Sequence, residues 1–138
     1  METEERILRE FDSIAVVGAS RDPSKAAHDV PAQLQAAGYR IVPVNPHADE
    51  LFGERVYREL AAIPFKVDVV LVFRPSEQTP AVARQAVAIG AKALWLQLGI
   101  HSQETQRIAR EGGLLYVEDA CTAVVRSRLR IRKPTTPA

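Results

Sequence analysis

The chain has 138 residues, of which 46% are hydrophobic and 25% are charged, close to the composition of an ordinary globular domain. A chain of this length can bury a full hydrophobic core, and its one cysteine, Cys121, rules out an internal disulfide. With a net charge of +1 and no apolar run near the roughly 18 residues of a membrane span, the sequence argues against disulfide scaffolds and membrane-spanning proteins.

The first predicted element is a helix over residues 4–11, with Ile7, Leu8 and Phe11 on one face. This region is acidic where a signal peptide would be basic, and no apolar segment follows it. We therefore expect a cytoplasmic protein.

Short apolar segments rich in β-branched residues then alternate with amphipathic stretches. Near-continuous apolar runs of this kind are typical of strands that are buried on both faces of a parallel sheet. The predicted strands cover residues 14–17, 40–44, 67–73, 93–98 and 114–117.

Helices are predicted between these strands, and each of the three longer ones is ended by a glycine where the chain must turn. Ser76 and Ser102 stand where helix N-caps belong. Pro31 would remove a hydrogen bond from a helix interior, so we predict that the first of these helices starts late, near Asp29, rather than being kinked. The predicted helices cover residues 30–37, 78–89 and 103–111, with a short piece near 57–61.

Five strands joined by four crossovers predict an α/β fold, a Rossmann-like doubly wound domain with a five-stranded parallel sheet and helices on both faces. We expect residues 1–133 to form a single domain and residues 134–138 a disordered tail. From Val124 onward, apolar residues alternate with arginines as in a strand, and the conformation of this segment stays open.

The loop after the first strand carries residues suited to a phosphate group. Gly18 permits close backbone approach, Ser20 offers a hydroxyl, and Arg21 and Lys25 offer positive charge near a helix start. The loop matches neither G-x-G-x-x-G nor a Walker A motif, so a plain βα turn is an equal alternative at this point.

The loops after the later strands narrow the ligand class. No acidic residue for ribose hydroxyls follows the second strand until Asp49, which disfavours NAD. Arg74, after the third strand, suits a phosphate or carboxylate, with an ion pair to Glu77 or Asp22 as the alternative. Gly99, after the fourth strand, permits a tight turn or the close approach of a ligand.

Other chemistries have weaker support in the sequence. The three histidines are not spaced as helical metal pairs, so we expect no metal site, and no G-x-S-x-G nucleophile elbow is present. The last five basic residues, from Arg126 to Lys133, lack interleaved aromatics. We therefore interpret them as a solvated segment and do not expect a nucleic-acid partner.

Five sequence blocks, in this order, resemble the small stand-alone CoA-binding proteins. These proteins are in turn similar to the N-terminal CoA-binding domain of the succinyl-CoA synthetase alpha subunit. The resemblance covers about residues 5–130. Its blocks are Ile14-Ala15-Val16-Val17-Gly18-Ala19-Ser20, residues 38–46 (Gly-Tyr-Arg-Ile-Val-Pro-Val-Asn-Pro), residues 68–75, Trp95-Leu96-Gln97-Leu98-Gly99-Ile100 and Glu118-Asp119-Ala120-Cys121.

The resemblance implies that coenzyme A lies along the carboxyl edge of the sheet. The implied contacts are Gly18, Ala19, Ser20 and Lys25 for the phosphates, Val44, Asn45 and Pro46 for the adenosine, Phe73, Arg74 and Pro75 for the border of the nucleotide, Gln97, Leu98 and Gly99 for the pantetheine, and Cys121 at the family's cysteine near the ligand.

The chain has no room for the synthetase's phosphohistidine domain or nucleotide-binding subunit. The leading hypothesis is therefore a non-catalytic module that binds coenzyme A or an acyl-CoA. The alternatives are a CoA-binding component of a multi-subunit acyl-CoA synthetase and, with less support, an NAD(P)-binding protein.

Overall fold

The computed structural model describes residues 2–134, so the predicted disordered tail at 134–138 lies, apart from Pro134, outside the described residues. The strands are β1 (Ser13–Val17), β2 (Arg40–Val44), β3 (Glu50–Leu51), β4 (Glu54–Arg55), β5 (Val69–Val72), β6 (Ala93–Leu96) and β7 (Leu115–Val117). The helices are α1 (Thr3–Glu10), α2 (Ala26–Ala36), α3 (Thr79–Ala88), α4 (Gln103–Glu111) and α5 (Thr122–Arg128). None of the helices in this range is long and apolar enough to cross a membrane.

The central sheet confirms the predicted Rossmann-like fold. Its five strands are all parallel and lie in the order β2-β1-β5-β6-β7. Chain order reverses at β1, which has β2 on one side and β5 on the other, with Val17 in register with both Val44 and Val72. In sheets of this type, ligands bind outside the carboxyl ends of the strands at such a reversal.

Alternating strand residues feed two hydrophobic cores, one on each face of the sheet. One core contains Trp95 with apolar side chains of α1, α2 and α5. The other contains Leu94 with apolar side chains of α3 and α4. The Trp95 indole N–H donates a 2.8 Å hydrogen bond to the Ala120 carbonyl, which ties the segment before α5 to the sheet.

The predicted late start of α2 is wrong, because the helix begins at Ala26 and contains Pro31. Proline has no N–H to donate to the carbonyl four residues earlier, that of Ala27. The Ser20 amide supplies the missing hydrogen bond to this carbonyl, at 3.1 Å. The proline is therefore accommodated by a partner from the preceding loop.

One of the two predicted N-caps is confirmed. The Ser102 hydroxyl accepts a 3.1 Å hydrogen bond from the Thr105 amide at the start of α4. Ser76 is not an N-cap, because a 3₁₀ turn over Ser76–Gln78 precedes α3, and its hydroxyl instead accepts from the His101 amide at 3.1 Å.

Three segments outside the central sheet have a secondary structure that the sequence analysis left open or did not predict correctly. The segment whose conformation the sequence left open forms helix α5 from Thr122 and not a strand. The piece predicted near 57–61 is a 3₁₀ turn over Leu60–Ala62. The β3–β4 hairpin was not predicted; it turns at Phe52 and Gly53, both with positive φ.

Candidate functional site

A cavity of about 370 Å³ opens at the carboxyl ends of β1, β2 and β5, on the strand-order reversal. Its walls come from the loop after β1, the first turn of α2, the loop after β2 and the end of β5. The lining residues are Gly18, Ala19, Ser20, Arg21, Lys25, Ala27, Asn45, His47, Ala48 and Phe73.

Gly18 brings the β1 and β5 loops into direct contact. Its φ of +90° lies in the left-handed region that favours glycine, and its amide donates a 3.1 Å hydrogen bond to the Val44 carbonyl. A Cβ at this position would lie 2.7 Å from the Phe73 carbonyl oxygen and 3.0 Å from Cδ of Arg74. A side chain at residue 18 would therefore push the two loops apart.

Short polar side chains shape the loop between Gly18 and α2. The Ser20 hydroxyl accepts a 3.0 Å hydrogen bond from the Asp22 amide. The Asp22 carboxylate accepts from the Ser24 hydroxyl at 2.7 Å and from the Ser24 amide at 3.0 Å. The hydroxyl and amide of Ser24 lower the pKa of Asp22, so this carboxylate is ionised at neutral pH.

The loop offers unsatisfied backbone donors next to positive charge. Within residues 2–134, the amides of Ala19, Arg21 and Ala27 have no hydrogen-bond acceptor. Ala27 lies in the first turn of α2, whose orphan N–H groups and dipole favour an anion. The exposed side chains of Arg21 and Lys25 line the same cavity. This combination of donors and charge is the chemistry of a phosphate site.

Asn45 joins the β2 loop to the β1 loop. Its side-chain N–H₂ donates to the Ala19 carbonyl at 2.6 Å, and its side-chain oxygen accepts from the amides of His47 at 2.6 Å and Ala48 at 3.1 Å. Because these bonds engage both ends of the carboxamide, Asn45 holds the two loops in register at the mouth of the cavity.

Arg74 follows β5 and lies outside the cavity lining. Its Nε and one terminal nitrogen donate to the Gln78 side-chain oxygen at 2.9 and 2.6 Å. The ion pair with Glu77 or Asp22 that we considered is wrong, because no carboxylate in the described part of the chain pairs with this guanidinium. Its charge is exposed and not neutralised by an acid.

The end of β6 forms a second part of the carboxyl edge. The buried Gln97 side-chain oxygen accepts from the amide and hydroxyl of Thr122, both at 3.3 Å. The Gly99 amide donates to the Asp119 carboxylate at 2.7 Å. Between them, Leu98 is 65% exposed.

Cys121 stands apart from the phosphate-type cavity. It precedes α5 and lines a separate cavity of about 570 Å³ together with residues of α2 and α5, among them Val30 and Val124. No group of three histidine, cysteine, aspartate or glutamate side chains in residues 2–134 is placed to hold a metal ion.

The structure thus divides the predicted residues into two sets. Those that line the 370 Å³ cavity together are Gly18, Ala19, Ser20, Lys25, Asn45 and Phe73. Those outside its lining are Val44, Pro46, Arg74, Pro75, Gln97, Leu98, Gly99 and Cys121. Three lining residues were not predicted, namely Ala27, His47 and Ala48. Ala27 reaches the cavity because α2 starts early, and His47 and Ala48 reach it because the Asn45 side chain bonds to their amides and turns the loop.

Comparison with known proteins shows the family to which the chain belongs. The sequence model of the CoA binding domain matches residues 12–127. An uncharacterised protein of Bacillus subtilis, YneT, is 39% identical over 118 residues, which are 86% of this chain and 87% of that protein. A solved structure from Thermus thermophilus is 38% identical with a TM-score of 0.87, over 94% of this chain and 99% of that one.

A larger relative carries a named activity. The ADP-forming acetate–CoA ligase II of Archaeoglobus fulgidus is 30% identical over 97 residues, which are 69% of this chain and 14% of that protein. The chain therefore spans only a small part of the ligase. On the match over residues 12–127, the chain belongs to the CoA binding domain family.

Proposed function

We propose that residues 1–133 act as one non-catalytic module that binds coenzyme A or an acyl-CoA at the carboxyl edge of the sheet. The observation that carries this proposal is the 370 Å³ cavity, where unsatisfied amides and two cations meet at the strand-order reversal. Family membership supports coenzyme A as the anion-bearing ligand.

The phosphates of coenzyme A match the chemistry of the β1 loop. The ligand carries a diphosphate and a ribose 3′-phosphate, which need several donors and cations. In this proposal Gly18, Ala19 and Ser20 bring the backbone against a phosphate, and Lys25 supplies charge at the start of α2. Arg21 adds a second cation.

The adenosine lies on the β2 side in this assignment. Val44, Asn45 and Pro46 would border it, with Asn45 acting through the loop geometry that its three hydrogen bonds fix. Phe73 and Pro75, at the end of β5, provide apolar surface near the same boundary. In this assignment Arg74 supplies a further cation at this border, because its guanidinium donates to the neutral Gln78 side chain and not to an acid.

The pantetheine arm would run toward β6 and α5. Gln97, Leu98 and Gly99 form the loop at the end of β6, and Leu98 offers exposed apolar surface to an uncharged arm. Cys121 directly precedes α5, and in our assignment it marks the thiol side of the ligand.

NAD(P) fits the site less well than coenzyme A. Asn45 directly follows β2, where dinucleotide-binding domains usually carry an acidic ribose ligand. The nearest acid, Asp49, pairs with Arg58 at 2.8 Å. A site without a ribose clamp but with several cations favours a ligand rich in phosphate.

The second candidate is a CoA-binding component of a larger acyl-CoA synthetase. The likeness to one segment of an ADP-forming acetate–CoA ligase favours it. Co-purification separates the two hypotheses, because a component of this kind requires a stable partner protein, whereas a stand-alone module is recovered by itself.

Isothermal titration calorimetry tests the proposal with coenzyme A, dephospho-CoA, NAD and NADP. We expect coenzyme A to bind most tightly and Lys25→Ala to weaken it about tenfold, as expected for the loss of one charge-assisted contact. Lys66→Ala is the matched control, since Lys66 is an exposed lysine that precedes β5 at the opposite end of the sheet. Absence of saturable binding at millimolar coenzyme A would overturn the proposal.

A further inference from the structure

Asp119 connects the loop after β6 to the loop after β7. Its carboxylate accepts a 2.7 Å hydrogen bond from the Gly99 amide, while its own amide donates at 3.0 Å to the Ile100 carbonyl. The two bonds run in opposite directions between the same two loops, so they fix both the separation and the register of these loops.

The backbone of Asp119 is held in an unusual conformation. Its φ of +54° lies in the left-handed region, which residues other than glycine rarely adopt. Aspartate is one of the few residues besides glycine that enter this region. Here its carboxylate accepts from the Gly99 amide on the other loop. In residues 2–134 the carboxylate pairs with no basic side chain, so its contact with Gly99 is not shared with an ion pair.

The loop between these anchors presents one apolar side chain to solvent. The Gln97 side chain is bonded to Thr122, and the Gly99 amide is bonded to Asp119. Leu98 lies between the two anchors and is 65% exposed, although most large apolar side chains of the protein are buried. A rigid loop that exposes a leucine at the ligand edge can contact an uncharged arm without ordering itself on binding.

We infer that Asp119 is a positioning residue that holds Leu98 against the pantetheine arm. Asp119 then contributes to the affinity for coenzyme A and leaves the affinity for the nucleotide portion unchanged. The inference rests on the proposed function, and it adds the residue that makes the β6 loop recognise the arm.

The test compares coenzyme A with adenosine 3′-phosphate 5′-diphosphate, the part of the ligand without the pantetheine arm. We expect Asp119→Ala to weaken coenzyme A about tenfold, as for the loss of a hydrogen bond to a charged group, with the nucleotide affinity unchanged. Asp119→Asn retains an oxygen acceptor and tolerates positive φ, so it should stay within about threefold of the native affinity.

Two further variants separate positioning from a general effect on the fold. Asp119→Gly suits the positive φ but lacks the carboxylate, so it should show the same selective loss as Asp119→Ala. The double variant with Leu98→Ala and Asp119→Ala should lose little more affinity for coenzyme A than either single variant, because both changes act on the contact between Leu98 and the pantetheine arm.

Other outcomes would overturn the inference. If Asp119→Ala and Asp119→Gly weaken the affinity for both ligands equally, the role of Asp119 is merely structural. If the affinity for coenzyme A is unchanged, Asp119 has no positioning role. If the native chain binds the nucleotide and coenzyme A equally well, the arm has no subsite. If it binds neither, the proposed function fails as well.

Discussion

Gly18→Ala tests the close approach on which the proposed phosphate site depends. The new methyl group would lie 2.7 Å from the Phe73 carbonyl oxygen, a distance that Cβ atoms do not adopt. It would also require alanine at a φ of +90°. The substitution therefore combines a backbone conformation unfavourable to L-residues with a contact that can be relieved only by moving the end of β5.

Gly90→Ala isolates the conformational part of this cost. Gly90 follows α3 at a φ of +76°, and a Cβ there would meet no atom within 4 Å. An L-residue in the left-handed region costs about 1–2 kcal/mol, which is the loss of unfolding free energy that we expect for Gly90→Ala. Gly18→Ala should lose about 1–3 kcal/mol more, the typical cost of forcing added volume into a packed site.

Equilibrium urea denaturation measures both losses, and calorimetry with coenzyme A measures the functional effect. We expect Gly18→Ala to weaken binding because the loops must separate, whereas Gly90→Ala should bind like the native chain. Equal losses of stability in the two variants would refute the reasoning, because they would show that the β1 and β5 loops move apart at no cost.

Three further predictions concern elements around the site. Burial raises the pKa of Tyr39, whose hydroxyl donates to the Leu8 carbonyl, to about 12. Because the folded protein favours the neutral phenol, Tyr39 contributes stability that is complete below the unfolded pKa near 10 and is lost as pH rises toward 12. Tyr39→Phe should therefore flatten the alkaline limb of a plot of unfolding free energy against pH. Ser102→Ala should lose about 1 kcal/mol of unfolding free energy in urea, as expected for an N-cap, and no loss would contradict that role. Pro31→Ala restores an N–H that competes for the Ala27 carbonyl, so the Ser20 amide should exchange faster with deuterium; an unchanged rate would show that Pro31 does not control this bond.

The strands of the sheet were predictable because their sequence signal is local. A parallel sheet covered on both faces requires apolar side chains in both directions, and the five runs show this pattern almost continuously, with Arg40, Asp68 and Gln97 as polar exceptions. The parallel, doubly wound arrangement followed from crossovers that are each long enough for a helix, whereas the strand order is known only from the structure. The Ser102 cap was equally visible, because a serine before an amphipathic stretch has a local partner in Thr105.

Two of the features that sequence reasoning missed depend on partners distant in the chain, and a third depends on a choice between several near ones. The cost of Pro31 in a helix is evident locally, but the Ser20 amide that offsets it lies eleven residues earlier. The neutral partner of Arg74, Gln78, is only four residues away, yet the sequence also offered two acids and could not rank the three. The contact between Asp119 and Gly99 requires β6 and β7 to be adjacent.

The contacts of Gly18 and Ser20 explain how the β1 loop can be ordered without the glycine fingerprint of a dinucleotide fold. Only Gly18 is a glycine, at the single position where a Cβ would collide with β5. Elsewhere, Ser20 bonds through its hydroxyl to Asp22 and through its amide to the carbonyl that Pro31 leaves free. A loop fixed by its own side chains and by the following helix holds its remaining amides in place before a ligand arrives. Under the proposed function, an anion that binds there would therefore cost little ordering entropy.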